Sequence, residues 1–231
     1  AILGSTGYVG IELVKILSNH PYVKINFLGS ENSSNKYFNE RNPDFDKIKL
    51  PIIDLNSNFN PEHSDIVFLA LPHGVSNKYV DKFYEKIKII DLSADFRLDD
   101  IKTYYENYNT EHSCPNILNN FIYGLPEIYK KKIANKSNIA VPGCYPTSVL
   151  LPLIPLLKNR LIEPNNIIID SKSGYSGAGK KFDINNIKNE FDLNFYNYNT
   201  NTHRHICEIK QELNNFSISE VSFSFNPHIL P

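Results

Sequence analysis

The chain has 231 residues, of which 41% are hydrophobic and 21% are charged, and its 24 basic and 25 acidic residues give a formal charge of -1 at pH 7. This is the composition of a globular protein that is long enough for one large domain or two smaller ones. The balanced charge predicts no nucleic acid and no membrane as a partner, and no apolar run is as long as a membrane span. Three cysteines in such a chain favour reduced thiols, so we expect a cytoplasmic protein.

The chain opens with the pattern of a strand, a glycine-rich turn, a helix and a second strand. Ala1–Leu3 is apolar, Ile11–Leu17 has apolar residues at helical spacing, and Val23–Leu28 is the second strand. The turn GSTGYVG contains Gly4, Gly7 and Gly10. Glycines allow the pyrophosphate of a dinucleotide to approach the backbone N–H groups at a helix start. We predict a dinucleotide site here; the alternative is a tight turn that binds nothing.

The segment after the second strand normally separates NAD from NADP. Glu31 could accept a hydrogen bond from the ribose of NAD, whereas neighbouring serines and a lysine could hold the 2′-phosphate of NADP: Ser30, Ser33, Ser34 and Lys36. The residues alone leave this choice open. The polar, asparagine-rich stretch from Glu31 to Pro61 predicts an irregular excursion.

Three later apolar runs are typical of central parallel strands: Asp65–Pro72, Ile87–Ala94 and Asn138–Gly143. With a short helix between the first two, they predict a doubly wound α/β sheet, in which ligands gather at the carboxyl ends of the strands. The loop ALPHGVS after the first run, and Asp95 and Arg97 after the second, are therefore ligand candidates. Arg97 could hold a carboxylate or a phosphate, or it could form a surface ion pair.

The second half of the chain has a different pattern. Pro146–Leu157 is an apolar helix candidate, and Asn166–Gly174 is a strand that runs into the glycine–serine loop SGYSGAGK. His205–Leu213 predicts a helix, and Glu220–Leu230 alternates like a strand with one wet face. These elements predict an α+β domain.

The change of pattern predicts two domains, a dinucleotide-binding domain over residues 1–142 and a catalytic domain over residues 143–231. The sequence starts inside a strand, contains no methionine and stops just after another strand. We therefore expect a fragment that has lost a few residues at its start and a larger piece at its end.

Cys144 has a setting that the other two cysteines lack. It follows a strand end, and Pro146 can occupy the first turn of the next helix, where its missing N–H costs nothing. A thiolate there would face free backbone N–H groups and the positive end of the helix dipole, which lower its pKa. The same groups could stabilise an oxyanion. Cys144 is thus a candidate nucleophile, the alternative being a buried structural cysteine.

The segment THRHICEI supplies His203, His205 and Glu208. A cysteine nucleophile needs a nearby base, and histidine titrates in the useful range. The two histidines with Cys207 also resemble half of a metal site, but no second cluster completes it, so we predict no metal.

Seven segments, in chain order, resemble the motifs of the N-acetyl-γ-glutamyl-phosphate reductase family: GSTGYVGIEL, LALPHGVS, DLSADFRL, YGLPE, VPGCYPTS, SGYSGAGK and HRHICEI. The resemblance covers essentially the whole chain. It implies a Rossmann-type doubly wound parallel sheet followed by an α+β catalytic domain of the glyceraldehyde-phosphate dehydrogenase type, here C-terminally incomplete. It further implies a homo-oligomer whose small-molecule substrate, N-acetyl-γ-glutamyl phosphate, is reduced by NADPH to the semialdehyde in arginine biosynthesis. The family usually has proline where this chain has Cys207.

The resemblance also implies roles for individual residues. Cys144 would form a thioester with the substrate, and His205 would act as acid and base with Glu208 orienting it. His203 would also belong to the catalytic residues, and it would bind the substrate together with Arg97 and Tyr145. The NADP-binding residues would lie in four segments of the chain: Gly4, Ser5, Thr6, Gly7, Tyr8, Val9, Ser30, Pro72, His73, Ser173, Gly174, Ser176 and Gly177.

Three alternatives compete with this interpretation. Another acyl-phosphate reductase, such as aspartate-semialdehyde dehydrogenase, would use the same chemistry. A non-catalytic nucleotide-binding protein would keep the glycine turn but would not need Cys144 together with His205. A metal-binding module would be built on His203, His205 and Cys207.

Overall fold

The computed structural model describes residues 1–31, 35–40, 42–45, 50–178 and 195–230. The chain divides into two compact units, the first formed by Ala1–Asp99 and Thr110–Val141 and the second by Asp100–Asn109 and Pro142–Pro231. The segment Asp100–Asn109 thus belongs with the second unit. The predicted boundary after residue 142 placed this segment in the first domain. That boundary stays a prediction.

The first unit contains an eight-stranded sheet, and its strands are numbered in chain order along with those of the second unit. They are β1 (Ile2–Leu3), β2 (Leu28–Gly29), β3 (Lys36–Tyr37), β4 (Ile52–Asp54), β5 (Ile66–Leu69), β6 (Lys88–Asp91), β7 (Ile122–Tyr123) and β8 (Asn138–Ala140). Their order in the sheet is β3-β4-β2-β1-β5-β6-β8-β7, and only the β3–β4 pair is antiparallel. The chain proceeds outwards in both directions from β1, so the predicted doubly wound sheet is confirmed.

Helices cover both faces of this sheet. The first unit contains α1 (Tyr8–Ser18), α2 (Ser76–Phe83) and α4 (Pro126–Ala134). Ile2 packs in one apolar cluster with Val14 of α1, and the next residue, Leu3, packs in another with Val80 of α2. This alternation places both faces of β1 in the core, as expected of a central parallel strand.

Two expectations for the first unit were wrong in part. The predicted strand Val23–Leu28 is reduced to β2, because the residues before Leu28 lie mostly at the surface; Val23 is 39% exposed. The predicted irregular stretch Glu31–Pro61 contains β3 and β4, which extend the sheet beyond β2. Helix α4 was not predicted because none of its residues is buried, so it has no apolar periodicity.

The second unit has a three-stranded sheet of β9 (Ile167–Gly174), β10 (Tyr196–Asn197) and β11 (Phe223–Leu230), in the order β10-β11-β9. Strands β9 and β11 are parallel, and β10 is antiparallel to β11. The helices are α3 (Ile101–Tyr108), α5 (Cys144–Lys158) and α6 (His205–Asn214), and α5 contacts α6. The elements predicted after residue 143 are all present. Helix α3 was missed because Tyr104 is its only buried residue.

The apolar residues of α5 and α6 form much of the core of this unit. Leu150 and Ile154 of α5, Ile209 and Leu213 of α6, and Phe225 of β11 are each at most 1% exposed. Each such side chain contributes about 1.5–3 kcal/mol on burial. The core therefore holds α5 and α6, whose first residues are Cys144 and His205. No helix among the residues described is long and apolar enough to span a membrane.

Candidate functional site

In the first unit, the glycine turn joins β1 to α1. Gly4 has φ +78°, and a Cβ atom on it would lie 2.2 Å from the carbonyl oxygen of Ala70. A Cβ atom on Gly10 would lie 2.2 Å from the carbonyl oxygen of Gly4. A Cβ atom on Gly7 would meet only that same oxygen, at 3.5 Å. The fold therefore requires glycine at positions 4 and 10, whereas at Gly7 there is room for a ligand to approach the backbone.

The start of α1 is suited to an anion. Gly7 is the N-cap, so no side chain caps the helix, and the first turn has no acidic residue. The first N–H groups of a helix have no partner within it, and they form a natural site for phosphate. The turn thus fits the pyrophosphate of a dinucleotide.

The side chains around this turn have different surroundings. Both donors of Ser5 are used within the fold, because its hydroxyl and its backbone N–H donate to the carbonyl oxygen of Gly29 at 3.0 and 2.8 Å. The hydroxyl oxygens of Thr6 and Ser30 lie 2.8 Å apart. Tyr8 and Val9 are 45% and 53% exposed. Ser5 therefore holds the turn in place, which was not expected of a predicted cofactor ligand.

The segment that would distinguish NAD from NADP is only partly described. Glu31 accepts a hydrogen bond from the hydroxyl of Tyr79 at 3.1 Å, and burial is the main cause that raises the pKa of Tyr79 to about 12. Lys36 is exposed in β3. Ser33 and Ser34 lie outside the described residues. The structure thus leaves both cofactors open.

The loop after β5 lies beside the glycine turn. The backbone N–H of Ala70 donates to the carbonyl oxygen of Leu3 at 2.9 Å. Two of the residues that follow, Pro72 and His73, are predicted cofactor ligands, and Pro72 is exposed. This places the loop at the carboxyl ends of β1 and β5, where doubly wound sheets bind nucleotides.

Arg97 is also in the first unit, and it is 7% exposed. Its Nε atom donates to the carbonyl oxygen of Val141 at 2.7 Å, and Nη2 donates to that of Leu92 at 2.9 Å. The alternative of an exposed surface ion pair is therefore wrong. These bonds hold the chain just after β6 and β8, and a contact of Arg97 with substrate stays a prediction.

In the second unit, Cys144 is the first residue of α5, and its side chain is exposed. The preceding Gly143 is the N-cap and provides no capping side chain. The alternative of a buried structural cysteine is therefore wrong. The thiol lies at the helix start, where the dipole and the unpaired N–H groups favour a negative charge.

Glu208 connects this helix start with α6. It is fully buried in the first turn of α6, and its Oε1 atom accepts a hydrogen bond from the backbone N–H of Gly143 at 2.9 Å. Helix α6 begins at His205, as predicted. The carboxylate thus holds the residue before Cys144, a function that the sequence did not indicate. Its predicted role in orienting His205 stays a prediction.

The two histidines are close together and packed by aromatic rings. The Nδ1 atom of His203 accepts a hydrogen bond from the backbone N–H of His205 at 3.1 Å, and the ring centres are 4.7 Å apart. The ring of Tyr145 lies 5.4 Å from His203 and 6.0 Å from His205. Burial, together with the charge of Arg204, lowers the pKa of His203 to about 4. His203 is therefore neutral at pH 7, with its proton on Nε2.

A cavity of about 350 Å³ brings the cysteine and the histidines together. Of the predicted site residues, seven line it: Cys144, Tyr145, Ser173, Gly174, Gly177, His203 and His205. Ser176 is not among the lining residues. The cavity has the size of a small-molecule site and combines a nucleophile with groups that can donate and accept protons.

Five residues that the sequence analysis did not select also line this cavity: Tyr198, Asn199, Thr202, Arg204 and Ile229. Tyr198 donates a hydrogen bond to the hydroxyl of Tyr145 at 3.1 Å, and burial is the main cause that raises its pKa. The segment NYNTNT before the histidines does indicate a turn, since repeated asparagines favour tight turns. Asn199 and Asn201 have positive φ. Arg204 is an exposed cation at this cavity.

Cys207 does not share the setting of Cys144. Its Sγ atom donates to the carbonyl oxygen of Arg204 at 3.0 Å, and burial and the charge of Glu208 raise its pKa to about 11. The thiol is therefore protonated at pH 7 and is a poor nucleophile. Among the residues that the structure describes, no group of three or more His, Cys, Asp or Glu is placed to hold a metal ion.

Comparisons with known proteins match both halves of the chain. Residues 1–136 match the family model "Semialdehyde dehydrogenase, NAD binding domain", and residues 144–231 match "Semialdehyde dehydrogenase, dimerisation domain". The first unit therefore contains a nicotinamide-nucleotide-binding domain of this family.

Relatives in sequence and in structure are consistent with these matches. The N-acetyl-γ-glutamyl-phosphate reductases of Caldicellulosiruptor bescii and Ehrlichia canis are 44% and 43% identical to the whole chain, which covers 67% of each. The chain thus spans about two thirds of their length. In structure, it resembles aspartate semialdehyde dehydrogenase II from Vibrio cholerae, with a TM-score of 0.68 and 17% identity over 100% of this chain and 69% of that one. This last likeness shows the fold.

Proposed function

The chain belongs to the N-acetyl-γ-glutamyl-phosphate reductase family, and from this premise we propose that it carries the machinery for reducing N-acetyl-γ-glutamyl phosphate to N-acetylglutamate 5-semialdehyde in arginine biosynthesis. The observation that carries the proposal is the exposed Cys144 thiol at the start of α5, in one cavity with His203 and His205. An acyl phosphate is an activated carboxyl group, and a thiolate beside a histidine is suited to attack it.

The proposed cofactor is NADP, held at the start of α1 and by the loop after β5. The open space at Gly7 and the uncapped helix start fit a pyrophosphate. Pro72 and His73 border the same side of the sheet, and Ser30 lies at the end of β2. When bound, NADPH supplies the hydride that reduces the acyl group to the aldehyde.

In the proposed first step, the Cys144 thiolate attacks the γ-carbonyl carbon, the bond from this carbon to the phosphate oxygen breaks, and a thioester remains. The N–H groups at the start of α5 stabilise the negative charge that develops on the carbonyl oxygen. The hydrogen bond from Gly143 to Glu208 holds this helix start in place. After reduction, the carbon–sulfur bond breaks, which releases the semialdehyde and restores the thiolate.

Proton transfer is assigned to His205. It takes the proton of the Cys144 thiol as the nucleophile forms and donates it to the oxygen of the reduced intermediate. It takes this proton back as the carbon–oxygen double bond forms and the carbon–sulfur bond breaks. His203 is neutral, so it contacts the substrate by donating a hydrogen bond from Nε2 and does not pair with a charge. Arg204 at the same cavity is the nearby cation for an anionic substrate group, and Arg97 remains a second proposed contact.

The family model over residues 144–231 is named for dimerisation, and we propose a homo-oligomer. Size-exclusion chromatography with light scattering tests this directly, and a strictly monomeric full-length protein would contradict it.

The test of the proposed reaction is the phosphate-dependent reduction of NADP by N-acetylglutamate semialdehyde, measured with the full-length protein. Aspartate semialdehyde serves as the competing substrate, and Cys207→Ser is the matched control for Cys144→Ser. We expect turnover with the acetylated substrate in the wild type and in Cys207→Ser only. Equal turnover of both substrates would contradict the assigned specificity, and turnover without phosphate would contradict the acyl-phosphate chemistry.

A further inference from the structure

The first unit contains a buried carboxylate that the proposed mechanism does not use. Asp95 is 0% exposed and follows β6. Its two carboxylate oxygens lie 2.9 and 3.0 Å from the backbone nitrogen of Gly74, which donates to both, and its Oδ2 atom also accepts from the backbone N–H of Asn77 at 3.0 Å. Asp95 is thus bonded to the loop after β5 and to the first turn of α2.

This arrangement replaces a local helix cap. The N-cap of α2, Val75, provides no capping side chain. The N–H groups of Ser76 and Lys78 donate to carbonyl oxygens of the local chain, whereas that of Asn77 takes its acceptor from Asp95, a residue after another strand. The carboxyl group of Asp95 thus lies at the positive end of the helix dipole of α2. The backbone of Asp95 is also held, because its N–H donates to Ser93 Oγ at 3.0 Å and its carbonyl oxygen lies 2.7 Å from Nε2 of His112.

The loop that Asp95 holds is closely packed at both of its ends. Gly74 has φ +72°, and a Cβ atom on it would lie 2.7 Å from Cγ2 of Thr110. The start of the loop packs on the glycine turn, since the carbonyl oxygen of Ala70 occupies the place of a Cβ atom on Gly4. Between these fixed points lie Pro72 and His73, two of the proposed nucleotide contacts.

We propose that Asp95 is a positioning residue for nucleotide binding, whose carboxylate fixes Gly74 and thereby sets Pro72 and His73 against the nicotinamide nucleotide. The proposal rests on the proposed function, because it assumes that this loop contacts the cofactor. Asparagine at position 95 has the same size, but it offers one acceptor oxygen, and its NH2 group would oppose an N–H donor of Gly74 or Asn77.

The test is the dissociation constant of NADPH, measured by fluorescence titration of the full-length protein. Asp95→Asn should raise it by about tenfold or more, while kcat at saturating NADPH stays within about threefold. Removing a negative charge near an anionic nucleotide would by itself strengthen binding. The weaker NADPH binding that we expect of Asp95→Asn is therefore opposite in sign to a simple charge effect. The matched control is Ser113→Ala, which removes a hydrogen bond to the Asn77 side chain at 3.0 Å and leaves Gly74 untouched.

The outcomes separate this proposal from the proposed function. If the wild type binds NADPH and folded Asp95→Asn binds it within about twofold, the role of Asp95 is refuted and the cofactor site stands. If Ser113→Ala weakens binding as much as Asp95→Asn, a general disturbance of α2 explains both and the proposal is overturned. If the wild type binds no nicotinamide nucleotide, both proposals fail.

A second variant covers the case in which Asp95→Asn does not fold. Gly74→Ala disturbs the same loop while it leaves the carboxylate in place, and circular dichroism verifies its fold. We expect weaker NADPH binding, and an unchanged dissociation constant in this variant would overturn the proposal.

Discussion

Gly7, the N-cap of α1, and Gly10, inside that helix, should respond differently to the same added methyl group: Gly10→Ala should act mainly on stability and Gly7→Ala mainly on nucleotide binding. At Gly10, an ideal Cβ atom would lie 2.2 Å from the carbonyl oxygen of Gly4 and 2.7 and 2.8 Å from two backbone atoms of Ser5. Backbone atoms cannot rotate away, so the turn itself would have to move. At Gly7 the nearest atom is 3.5 Å away and φ is -72°, which any residue adopts.

These distances give the expected size of each effect. Overpacking against a backbone costs about 1–3 kcal/mol or more, against which alanine gains about 1 kcal/mol over glycine inside a helix. An approach of 2.2 Å to backbone belongs at the upper end of this range, so the net loss is about 2 kcal/mol and Gly10→Ala should lower the melting temperature by roughly 4–8 °C. Gly7→Ala changes only an N-cap, which costs about 0.5–1 kcal/mol and shifts the melting temperature by roughly 3 °C.

For nucleotide binding, the important substitution should be Gly7→Ala. The methyl group of Gly7→Ala would occupy the space through which a pyrophosphate approaches the start of α1, so we expect the dissociation constant of NADPH to rise by about tenfold or more. Melting is followed by circular dichroism, and binding by fluorescence titration well below the melting temperature. The result that would refute this reasoning is a Gly7→Ala protein with wild-type affinity, since the turn would then serve the fold alone.

Three further predictions concern catalysis and pH. Cys144→Ser should reduce turnover by more than about 10³-fold with unchanged NADPH affinity, because a serine hydroxyl is a far weaker nucleophile at neutral pH; turnover within tenfold of the wild type would contradict a thioester mechanism. His205→Asn should lower kcat by about 10²–10⁴-fold with little change in KM, whereas His203→Asn should act mainly on KM; steady-state kinetics that show the reverse would exchange the two roles. Burial raises the pKa of Asp91 from 3.8 to about 6, so its contribution to stability is complete below pH 3.8 and is lost as the pH rises through 6. Urea unfolding should therefore show that the wild type loses about 2–3 kcal/mol relative to Asp91→Asn between pH 3.8 and pH 7, and a constant difference would contradict the assigned pKa.

Sequence patterns predicted those parts of the fold that bury apolar residues at regular spacing. The strands β5, β6 and β8 are short apolar runs, and α5 has a wide apolar surface, so each was visible in the sequence. Helix α4 was not, because a helix without buried residues has no periodic signal. Capping also acts over distance: nothing in the sequence links Asp95 to Gly74, and this contact exists only because β5 and β6 are neighbours in the sheet.

The candidate site was predicted to the extent that its chemistry lies in local motifs. Cys144 was recognisable from a strand end followed by a helix start, and the histidines from their place beside an acid. Tyr198 was not, since tyrosine is common in this chain and only the fold brings this one to the hydroxyl of Tyr145. One partner of Glu208 was also hidden, because nothing in the sequence indicated that its carboxylate accepts a hydrogen bond from the backbone N–H of Gly143.

Comparison of the three cysteines explains why one thiol is suited to nucleophilic attack. Burial raises the pKa of Cys114, whose Sγ atom donates to the carbonyl oxygen of Asn77 at 3.1 Å. Cys207 donates to a carbonyl oxygen as well and lies beside the buried charge of Glu208. Both thiols are thus hydrogen-bond donors, and loss of the proton would place a negative sulfur against a carbonyl oxygen. Cys144 alone of the three is exposed and is the first residue of a helix, so a substrate can reach its sulfur, whereas the other two thiols are held as donors within the fold.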